Sequence, residues 1–272
     1  MSVKEKGKKM NDVKHTFAVC AYGESLYLEA CIRSLKAQSI PSQIIITTST
    51  PNGHIRRMAK KYGLSVYVNE GEGGITRDWN FALSKVTTRY ATLAHQDDIY
   101  ENEYAERILG KMEGCRQPLI AFSDYQELRN GKKVYHTGML RIKRLMLLPL
   151  RPRCFRNSRF VRRRVLSLGD PICCPAVTFC MDNITGPVFR HGFQSCEDWE
   201  AWEMLSRKRG AFLYIPEPLM CHRIHGESAT TKILAANARV EENFKMYCKF
   251  WPRGIARALN HFYTRSEASN KL

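Results

Sequence analysis

The sequence predicts an α/β fold in which helices flank a mostly parallel β-sheet. Short apolar runs suited to buried strands alternate with segments whose apolar residues recur at helical spacing. Such alternation is typical of parallel strands joined by right-handed helical crossovers. The chain has 272 residues, of which 44% are hydrophobic, so it is long and apolar enough to bury a full core.

Each predicted element follows from its apolar spacing and from the turn residues that end it. The predicted strands are residues 16–21, 44–48, 64–68, 90–94, 119–125, 176–181 and 212–215. The predicted helices are residues 24–37, 54–62, 76–84, 104–112 and 197–208, followed by helical patterns from 231 to 263 that break at Pro252. We therefore expect one domain at residues 14–230 and a C-terminal helical tail at residues 231–272.

The net charge of +17 is concentrated in a basic excursion within this domain, residues 128–169. The excursion holds thirteen Lys and Arg and no Asp or Glu, which leaves the rest of the chain at +4. Between Leu140 and Arg164 it reads LRIKRLMLLPLRPRCFRNSRFVRRR, so basic residues interleave with bulky apolar ones. This mixture favours an amphipathic surface that contacts anionic membrane lipid.

Two other interpretations of the basic excursion stay open. A basic stripe also suits nucleic acid. Between Leu140 and Arg164, however, only Phe155 and Phe160 are aromatic and able to stack on bases, so no nucleic-acid partner is expected. The remaining interpretation is a basic surface loop whose apolar residues pack on the core.

Neither a secretory signal nor a membrane span is predicted. The basic N-terminal residues are followed by no apolar stretch. Apolar runs such as Leu145–Leu150 are far shorter than the ~20 residues that a span needs. The ten cysteines include no CxxC pair and have no regular spacing, so the expected state is buried thiols in a reducing cytoplasm.

The paired carboxylates Asp97 and Asp98 are the most informative local feature. They directly follow the strand predicted at residues 90–94, and the carboxyl ends of parallel strands border the crevice where α/β sheets bind ligands. Two adjacent carboxylates repel each other unless a cation lies between them. Hard oxygen ligands suit Mg²⁺ or Mn²⁺. The alternative is a pair of solvated loop aspartates.

Two glycine-bearing turns precede helices at the same predicted edge. Ala21-Tyr22-Gly23 follows the first strand and forms a turn where backbone can approach a ligand. In the segment 69–80, NEGEGGITRDWN, Gly74 precedes a helix whose N-terminus can face phosphate oxygens, and Arg77 can add charge-assisted bonds. The alternative for both is an ordinary loop with a helix cap.

Two later segments carry further titratable groups. Ser195 to Glu200 places three carboxylates at a predicted helix start, where they either complement the helix dipole or supply a general base. Cys221 to Thr230, CHRIHGESAT, has two histidines that can complete a metal shell and an arginine that can hold a diphosphate. A structural role for a single histidine there is the alternative.

Together these segments resemble the family 2 glycosyltransferases of GT-A fold, a Rossmann-like fold, and in particular the type that builds bacterial surface polysaccharide. HQDD at residues 95–98 is similar to the family's metal-binding DxD motif. Glu197-Asp198 is similar to its ED motif, and HRIHGESATT to its late histidine segment. The resemblance covers Thr16 to Thr230, and the motifs occur in the family's order.

The resemblance implies a nucleotide-diphospho-sugar donor, with a UDP-sugar expected, a Mg²⁺ or Mn²⁺ ion and inversion at the anomeric carbon. It implies that Asp97, Asp98 and His225, or less directly His222, bind the metal. It implies that Asp198 is the catalytic base and that Glu197 supports it. The residues expected to contact the donor are Ala21, Tyr22, Thr47, Thr48, Gly74, Arg77, Asn80, Gln96, Asp97 and Arg223.

The sequence departs from the family pattern at three places. The second strand ends in Thr47-Thr48-Ser49-Thr50, where the family has an aspartate-rich turn that reads the nucleobase. His95 takes the first acidic position of the DxD motif. Trp79 takes a position that is often Arg before the retained Asn80.

The expected function is a metal-dependent inverting glycosyltransferase that extends a surface glycan. It would act on a glycan or lipid-linked acceptor, in the cytoplasm at the inner face of the cell membrane. The alternatives are a nucleotidyltransferase of GT-A-like fold, whose usual glycine-rich signature after the first strand is missing from AYGES, and an inactive nucleotide- or nucleic-acid-binding module. The sequence does not determine the sugar, the linkage or the oligomeric state.

Overall fold

The computed structural model describes residues 13–225 and 238–268 of the chain. Its strands are β1 (His15–Cys20), β2 (Gln43–Thr48), β3 (Ser65–Val68), β4 (Tyr90–His95), β5 (Ile99–Tyr100), β6 (Pro118–Arg129), β7 (Lys132–Val134), β8 (Val177–Cys180) and β9 (Ala211–Ile224). Its helices are α1 (Leu28–Lys36), α2 (Gly53–Tyr62), α3 (Ile75–Ser84), α4 (Tyr104–Glu113), α5 (Gly138–Leu147), α6 (Arg159–Leu166), α7 (Glu197–Arg207), α8 (Ala238–Cys248) and α9 (Arg253–Ala268).

All nine described strands belong to one sheet. Eight of them lie in the order β3-β2-β1-β4-β8-β6-β9-β5, and β7 pairs with β6. β1 to β4 form a parallel half, β6 and β9 also pair in parallel, and β8 lies antiparallel between β4 and β6. Helices flank this mostly parallel sheet, as the sequence predicts, and the fold is of the GT-A type.

Apolar side chains fill both faces of the parallel half. One core cluster includes Ala18, Ile45 and Leu93, while Phe17 and Val19 belong to the other. Successive residues of a strand point to opposite faces, so strands covered on both faces are nearly continuous apolar runs. This explains why periodicity located these strands to within one or two residues.

β9 is fourteen residues long, whereas the sequence predicts a strand only at residues 212–215. Pro216 and Pro218 indicated a strand end, because proline lacks the N–H that a ladder needs. The structure accommodates them by a register shift. Ile215 pairs with Ser123, and Pro218 pairs with the next residue of β6, Asp124. β9 therefore continues to Ile224, and the predicted loop around His222 begins as strand.

Part of the basic excursion packs in the core. Arg162 is fully buried and donates to the carbonyls of Ser206, in the last turn of α7, and of Lys208 and Gly210 after it. Arg163 forms an ion pair with the buried carboxylate of Glu203. These two arginines stabilise the core. This agrees, for part of the segment, with the interpretation that the excursion packs on the core.

The outer side of the excursion remains exposed and amphipathic. Leu145 and Phe160 are 66% and 70% exposed, and Ile142 and Leu148 are about half exposed. Arg141 is exposed on the same helix as Ile142. No helix within the described ranges is long and apolar enough to cross a membrane.

The two C-terminal helices pack on the same core as the sheet. Met246, Tyr247 and Ala256 join the cluster that contains Trp199 of α7, and Tyr247 meets Trp199 edge to face at 5.1 Å. The break between α8 and α9 contains Pro252, as predicted. The first part of the predicted tail, residues 231–237, lies outside the described residues.

Candidate active site

The candidate site lies at the carboxyl ends of the parallel strands. β4 ends at His95, directly before Asp97 and Asp98. The short strand β5 then pairs antiparallel with Met220 and Cys221 of β9. This pairing brings residues 222–225 alongside the two aspartates, although they are more than 120 residues apart in the chain.

Asp98 is fully buried and anchors the histidine segment. Its Oδ1 lies 3.1 Å from Nδ1 of His222 and accepts the backbone N–H of Arg223 at 2.9 Å. Burial lowers the pKa of His222, but the Asp98 carboxylate outweighs burial, so the net shift is upward. Asp98 thereby fixes the end of β9 against the end of β4.

Asp97 is the more accessible carboxylate, with 19% of its side chain exposed. Its Oδ2 lies 2.9 Å from Nε2 of His225, and its carbonyl accepts the Nε–H of Arg223 at 2.7 Å. Tyr27, just before α1, packs on both partners. Its ring centre lies 4.2 Å from the Arg223 guanidinium and 5.0 Å from the His225 ring. Arg223 and His225 are therefore held at the mouth of the crevice.

His95 contributes a neutral nitrogen to the same cluster. Its ring stacks on Trp79, and its buried Nε2 has no hydrogen-bond partner among the described residues. Burial lowers the pKa of His95 to about 4, although Asp97 opposes the shift. His95, Asp97 and Asp98 each offer a ligand atom, and these atoms lie within 4.8 Å of one another. One orphaned nitrogen beside two carboxylates fits a divalent transition-metal ion.

Gln96 connects this cluster to the turn after β1. Its side-chain amide exchanges two hydrogen bonds with the backbone of Tyr22, each 3.0 Å long. The N–H of Gly23, which has a positive φ of 59°, donates to Thr50 at 2.8 Å. Gln96 therefore shapes the loop that follows β1 and leaves the Tyr22 side chain 67% exposed at the rim.

Asp78 organises the glycine-rich loop before α3. Its carboxylate accepts hydrogen bonds from Ser49, from Asn69 and from the backbone N–H of Gly74, at 2.9, 2.8 and 3.2 Å. Gly74 has a φ of 137°, which a residue with a side chain rarely adopts. The loop is thus tied to the end of β2. Arg77 lies on the outer side of the loop, where its side chain is about half exposed and forms an ion pair with Glu72.

Three of the residues predicted to contact the donor have partners inside the protein. Thr47 and Thr48 are 2% and 3% exposed, and their hydroxyls bind the carbonyl of Val19 and the N–H of Thr50. The amide of Asn80 exchanges two hydrogen bonds with the backbone of Phe189. The structure does not bring these three polar groups to the surface of the crevice. Direct donor contact by these three residues stays a prediction, and their intramolecular hydrogen bonds do not favour it.

A second acidic cluster forms around Asp198 in the first turn of α7. Burial raises the pKa of Asp198, while Arg239 and a hydrogen bond from Asp170 oppose the rise. Burial and the charge of Asp198 raise the pKa of Asp170 well above its ordinary value. Both carboxyl groups therefore hold a proton more tightly than free carboxyl groups do. Glu197 is 5% exposed, and burial raises its pKa to about 7.

Cys173 lies between the two acidic clusters. Burial raises the pKa of its thiol well above the usual value, and the charges of Asp98, Asp198 and Asp170 raise it further. The thiol is therefore within electrostatic range of both clusters. The positive charge of Lys143 in α5 has the opposite effect. It lowers the pKa of Asp170, Asp198 and Cys173.

A family model described as Glycosyl transferase family 2 matches residues 16–181, more than half of the chain. The chain belongs to glycosyl transferase family 2. The match begins in β1 and ends directly after β8, so it includes the HQDD segment. It does not reach Asp198 or the histidine segment.

Solved structures share the fold at low sequence identity. TarS residues 1–349 from S. aureus, in complex with UDP-GlcNAc, aligns with a TM-score of 0.62 at 14% identity, over 91% of this chain and 70% of that chain. The mannosyltransferase PcManGT from Pyrobaculum calidifontis, in complex with GDP-Man and Mn²⁺, aligns with a TM-score of 0.62 at 14% identity, over 94% and 73%. The chain spans 42% of a longer TarS chain. Among curated proteins no sequence matches it.

Sequence reasoning missed three residues of this site. Asp170 has a signal that could have found it, because it is the first carboxylate after the acid-free residues 128–169. Asp78 and Tyr27 act through contacts with residues distant in the chain, and nothing in their local patterns indicates those contacts. Gly226 to Thr230, which the histidine motif includes, lie outside the described residues.

Proposed function

We propose that this glycosyltransferase moves a sugar from a nucleotide-diphospho-sugar to an acceptor hydroxyl, with a divalent cation and with inversion. One observation carries the proposal. The charges of Asp98, Asp170 and Asp198 all act on the Cys173 thiol, which supports placing the His95–Asp97–Asp98 cluster and the Asp170–Asp198 pair at one site. A displacement at the sugar needs one centre that stabilises the negative charge on the leaving group and a second that takes the proton from the acceptor hydroxyl.

At the donor end, His95, Asp97 and Asp98 would hold the cation, with His225 beside Asp97. When bound, Mg²⁺ or Mn²⁺ neutralises charge that grows on a diphosphate leaving group. Arg223 adds a fixed positive charge, since its Nε–H holds the Asp97 carbonyl and its plane rests on Tyr27. The complex of PcManGT with GDP-Man and Mn²⁺ supports this assignment.

At the acceptor end, Asp198 would be the general base. Arg239, Lys143 and a hydrogen bond from Asp170 lower the pKa of Asp198 against the effect of burial, which favours its carboxylate form. Asp198 then takes the proton from the acceptor hydroxyl while that oxygen attacks the anomeric carbon and the bond to the diphosphate breaks. A single displacement inverts the configuration. It requires no covalent sugar intermediate, and so no nucleophilic Ser or Cys is assigned.

The proposed donor is a UDP-sugar. The complex of TarS residues 1–349 with UDP-GlcNAc supports a uracil nucleotide in this fold. The turn that follows β2 offers the hydroxyl group of Thr50, which can donate a hydrogen bond where an acidic side chain would only accept one. Gly74, at the N-terminus of α3, would face the phosphates, because helix N-termini favour anions.

The proposed acceptor is a surface glycan or a lipid-linked precursor, reached at the cytoplasmic face of the cell membrane. The exposed Ile142, Leu145 and Phe160 support this location, because they lie beside arginines such as Arg141. Apolar side chains of this kind insert between lipids, and arginines attract anionic headgroups.

A thermal-shift panel of nucleotide sugars, with and without Mn²⁺, tests the proposal. A ligand that binds only the folded state raises the melting temperature by mass action. We expect a UDP-sugar to raise it with Mn²⁺ present. Asp97→Asn should abolish the shift, and Asp182→Asn, which removes an exposed carboxylate elsewhere, should preserve it. If no nucleotide sugar shifts the wild-type melting temperature, the proposal is wrong.

A further inference from the structure

A second cavity lies at the opposite edge of the sheet from the crevice. Its volume is about 710 Å³, and it borders the amino ends of β6 and β9. Ala211, where β9 begins, and His222 are eleven residues apart, so at ~3.3 Å per residue the cavity and the crevice are separated by on the order of 30 Å. The polar residues that line the cavity include Arg116, Asn157, Arg159, Asn183 and Arg209.

Positive charge dominates this cavity. Arg116, Arg159 and Arg209 line it, and no lining residue is a carboxylate. Within residues 13–225 and 238–268, none of the three forms an ion pair with a carboxylate. Arg162 lies behind the wall, where burial and, to a smaller extent, the charge of the neighbouring Arg159 lower its pKa to about 10. Four guanidinium groups are thus gathered without a compensating acid.

The floor of the cavity is rigid. Gly210 has a φ of 123°, and a Cβ there would lie 2.9 Å from the Gln117 carbonyl oxygen. The starts of β6 and β9 therefore approach as closely as their backbones allow. Asn183 donates to the carbonyl of Pro118 at 2.7 Å, and Arg162 donates to the carbonyl of Gly210. These bonds fix the backbone before any ligand arrives.

We propose that this cavity binds a phosphate-bearing ligand, as a phosphomonoester or phosphodiester group. The planar fork of Arg matches phosphate oxygens in pairs, and charge-assisted bonds of this kind are strong. A volume of about 710 Å³ is larger than one phosphate needs and lies in the range of small-molecule sites. The amide of Asn157 is placed to contact the organic part of the ligand.

The surroundings of the cavity favour anions as well. Burial lowers the pKa of Lys111, and the nearby Arg156 and Arg153 lower it further. These cations extend the positive surface from the cavity onto the basic excursion. The phosphate can therefore come from a soluble ester or from a lipid headgroup at an adjoining surface.

Binding measurements on matched double variants test the proposal. Arg116→Ala with Arg209→Ala removes two cavity cations, while Arg56→Ala with Arg253→Ala removes two exposed cations elsewhere. Glycerol 3-phosphate is titrated in NMR experiments that follow arginine side chains, with EDTA present. Separately, each protein is sedimented with phosphatidylglycerol and with phosphatidylcholine vesicles. All the substituted arginines are exposed, so equal melting temperatures verify folding.

We expect the cavity variant to bind at least one of the two phosphate probes tenfold more weakly than wild type, and the control variant to stay within twofold. Loss of glycerol 3-phosphate binding assigns a soluble ester, and loss of phosphatidylglycerol binding alone assigns a lipid headgroup. If both variants lose affinity equally, only general electrostatic attraction is present and the site does not exist. The absence of wild-type binding to both probes would also overturn the proposal.

Discussion

The imidazole of His95 stacks on the indole of Trp79, with ring centroids 5.1 Å apart and an interplanar angle of 23°. The stack fixes the plane of the imidazole, and burial keeps it neutral, with a pKa of about 4. Two of the three departures from the family pattern, at positions 79 and 95, therefore contact each other. Together they present an oriented nitrogen where a DxD motif presents a carboxylate.

This stack predicts the metal preference of the enzyme. Imidazole suits Mn²⁺ better than Mg²⁺, which prefers oxygen ligands. We expect wild-type activity to be higher with Mn²⁺, and His95→Asp to move the Mn²⁺ to Mg²⁺ activity ratio toward Mg²⁺ by about tenfold. Metal titrations of sugar transfer measure the ratio. His191→Asp, at an exposed histidine, serves as the control, and an unchanged ratio in His95→Asp would show that His95 is not a ligand.

Replacing Asp198 with Asn should separate chemistry from donor binding. Loss of a general base lowers turnover by about 10²- to 10⁴-fold. The donor cluster at Asp97 is untouched, so the Mn²⁺-dependent thermal shift by the donor should persist. Single-turnover kinetics with Asp198→Asn, beside the exposed control Asp182→Asn, measure the effect. Full transfer activity in Asp198→Asn would remove Asp198 from the role of base.

Glu197 should make stability fall as pH rises. Burial raises its folded-state pKa to about 7, against ~4.3 in an unfolded chain. The folded state therefore binds this proton more tightly, and the contribution is present below pH ~4 and lost as pH rises toward 7. Glu197→Gln should be more stable than wild type by on the order of 2 kcal/mol at pH 8, and nearly equal to it at pH 4.

Urea unfolding at the two pH values measures this difference. Glu103→Gln, at an exposed position, should show no such change with pH. A Glu197→Gln variant whose stability relative to wild type is the same at pH 4 and pH 8 would contradict the raised pKa.

Arg162 should be the most stability-critical arginine of the basic excursion. Arg162→Met leaves the carbonyls of Ser206, Lys208 and Gly210 without their donor. Buried unsatisfied carbonyls and the loss of a charged donor should cost about 3 kcal/mol. Arg141→Met, on the exposed side of α5, should stay within about 0.5 kcal/mol. Denaturant unfolding of the two variants measures this difference. Equal stabilities would mean that water hydrogen-bonds the three carbonyls in place of the guanidinium.

Membrane contact should depend on the exposed apolar residues of the excursion and not on its buried arginines. Leu145→Asp places a charge at a side chain that is 66% exposed, and it should weaken sedimentation with phosphatidylglycerol vesicles by about tenfold, because burying apolar groups in the interface drives such binding. Leu26→Asp, at an 88% exposed leucine near α1, should bind as wild type does. Equal binding by both variants would exclude this surface.

The parallel half of the fold was predictable because its strands are buried on both faces and its helices are amphipathic. β1, β4 and α3 therefore begin and end within one or two residues of the ranges predicted. β9 was not predictable to its full length, since Pro216 and Pro218 carry the local signal of a strand end. Only its long pairing with β6 reveals how the ladder resumes.

The site residues that could be predicted from the sequence are those whose residue type alone indicates their chemistry. Asp97, Asp98, Arg223 and His225 do lie together. Local patterns could not show which polar groups the fold itself uses. Asn80 looks like a free amide in the sequence, yet the backbone of Phe189 occupies both of its ends.

The pairing of β5 with β9 has a consequence for synthesis of the chain. His225 lies 128 residues after Asp97, so the contact that completes the cation cluster closes only when nearly the whole sheet has left the ribosome. A nascent chain that ends before Met220 has the full Rossmann-like half but lacks the strand that anchors Asp98. Contacts of such long range form late and slowly, and the contact between Asp97 and His225 therefore forms only as folding ends.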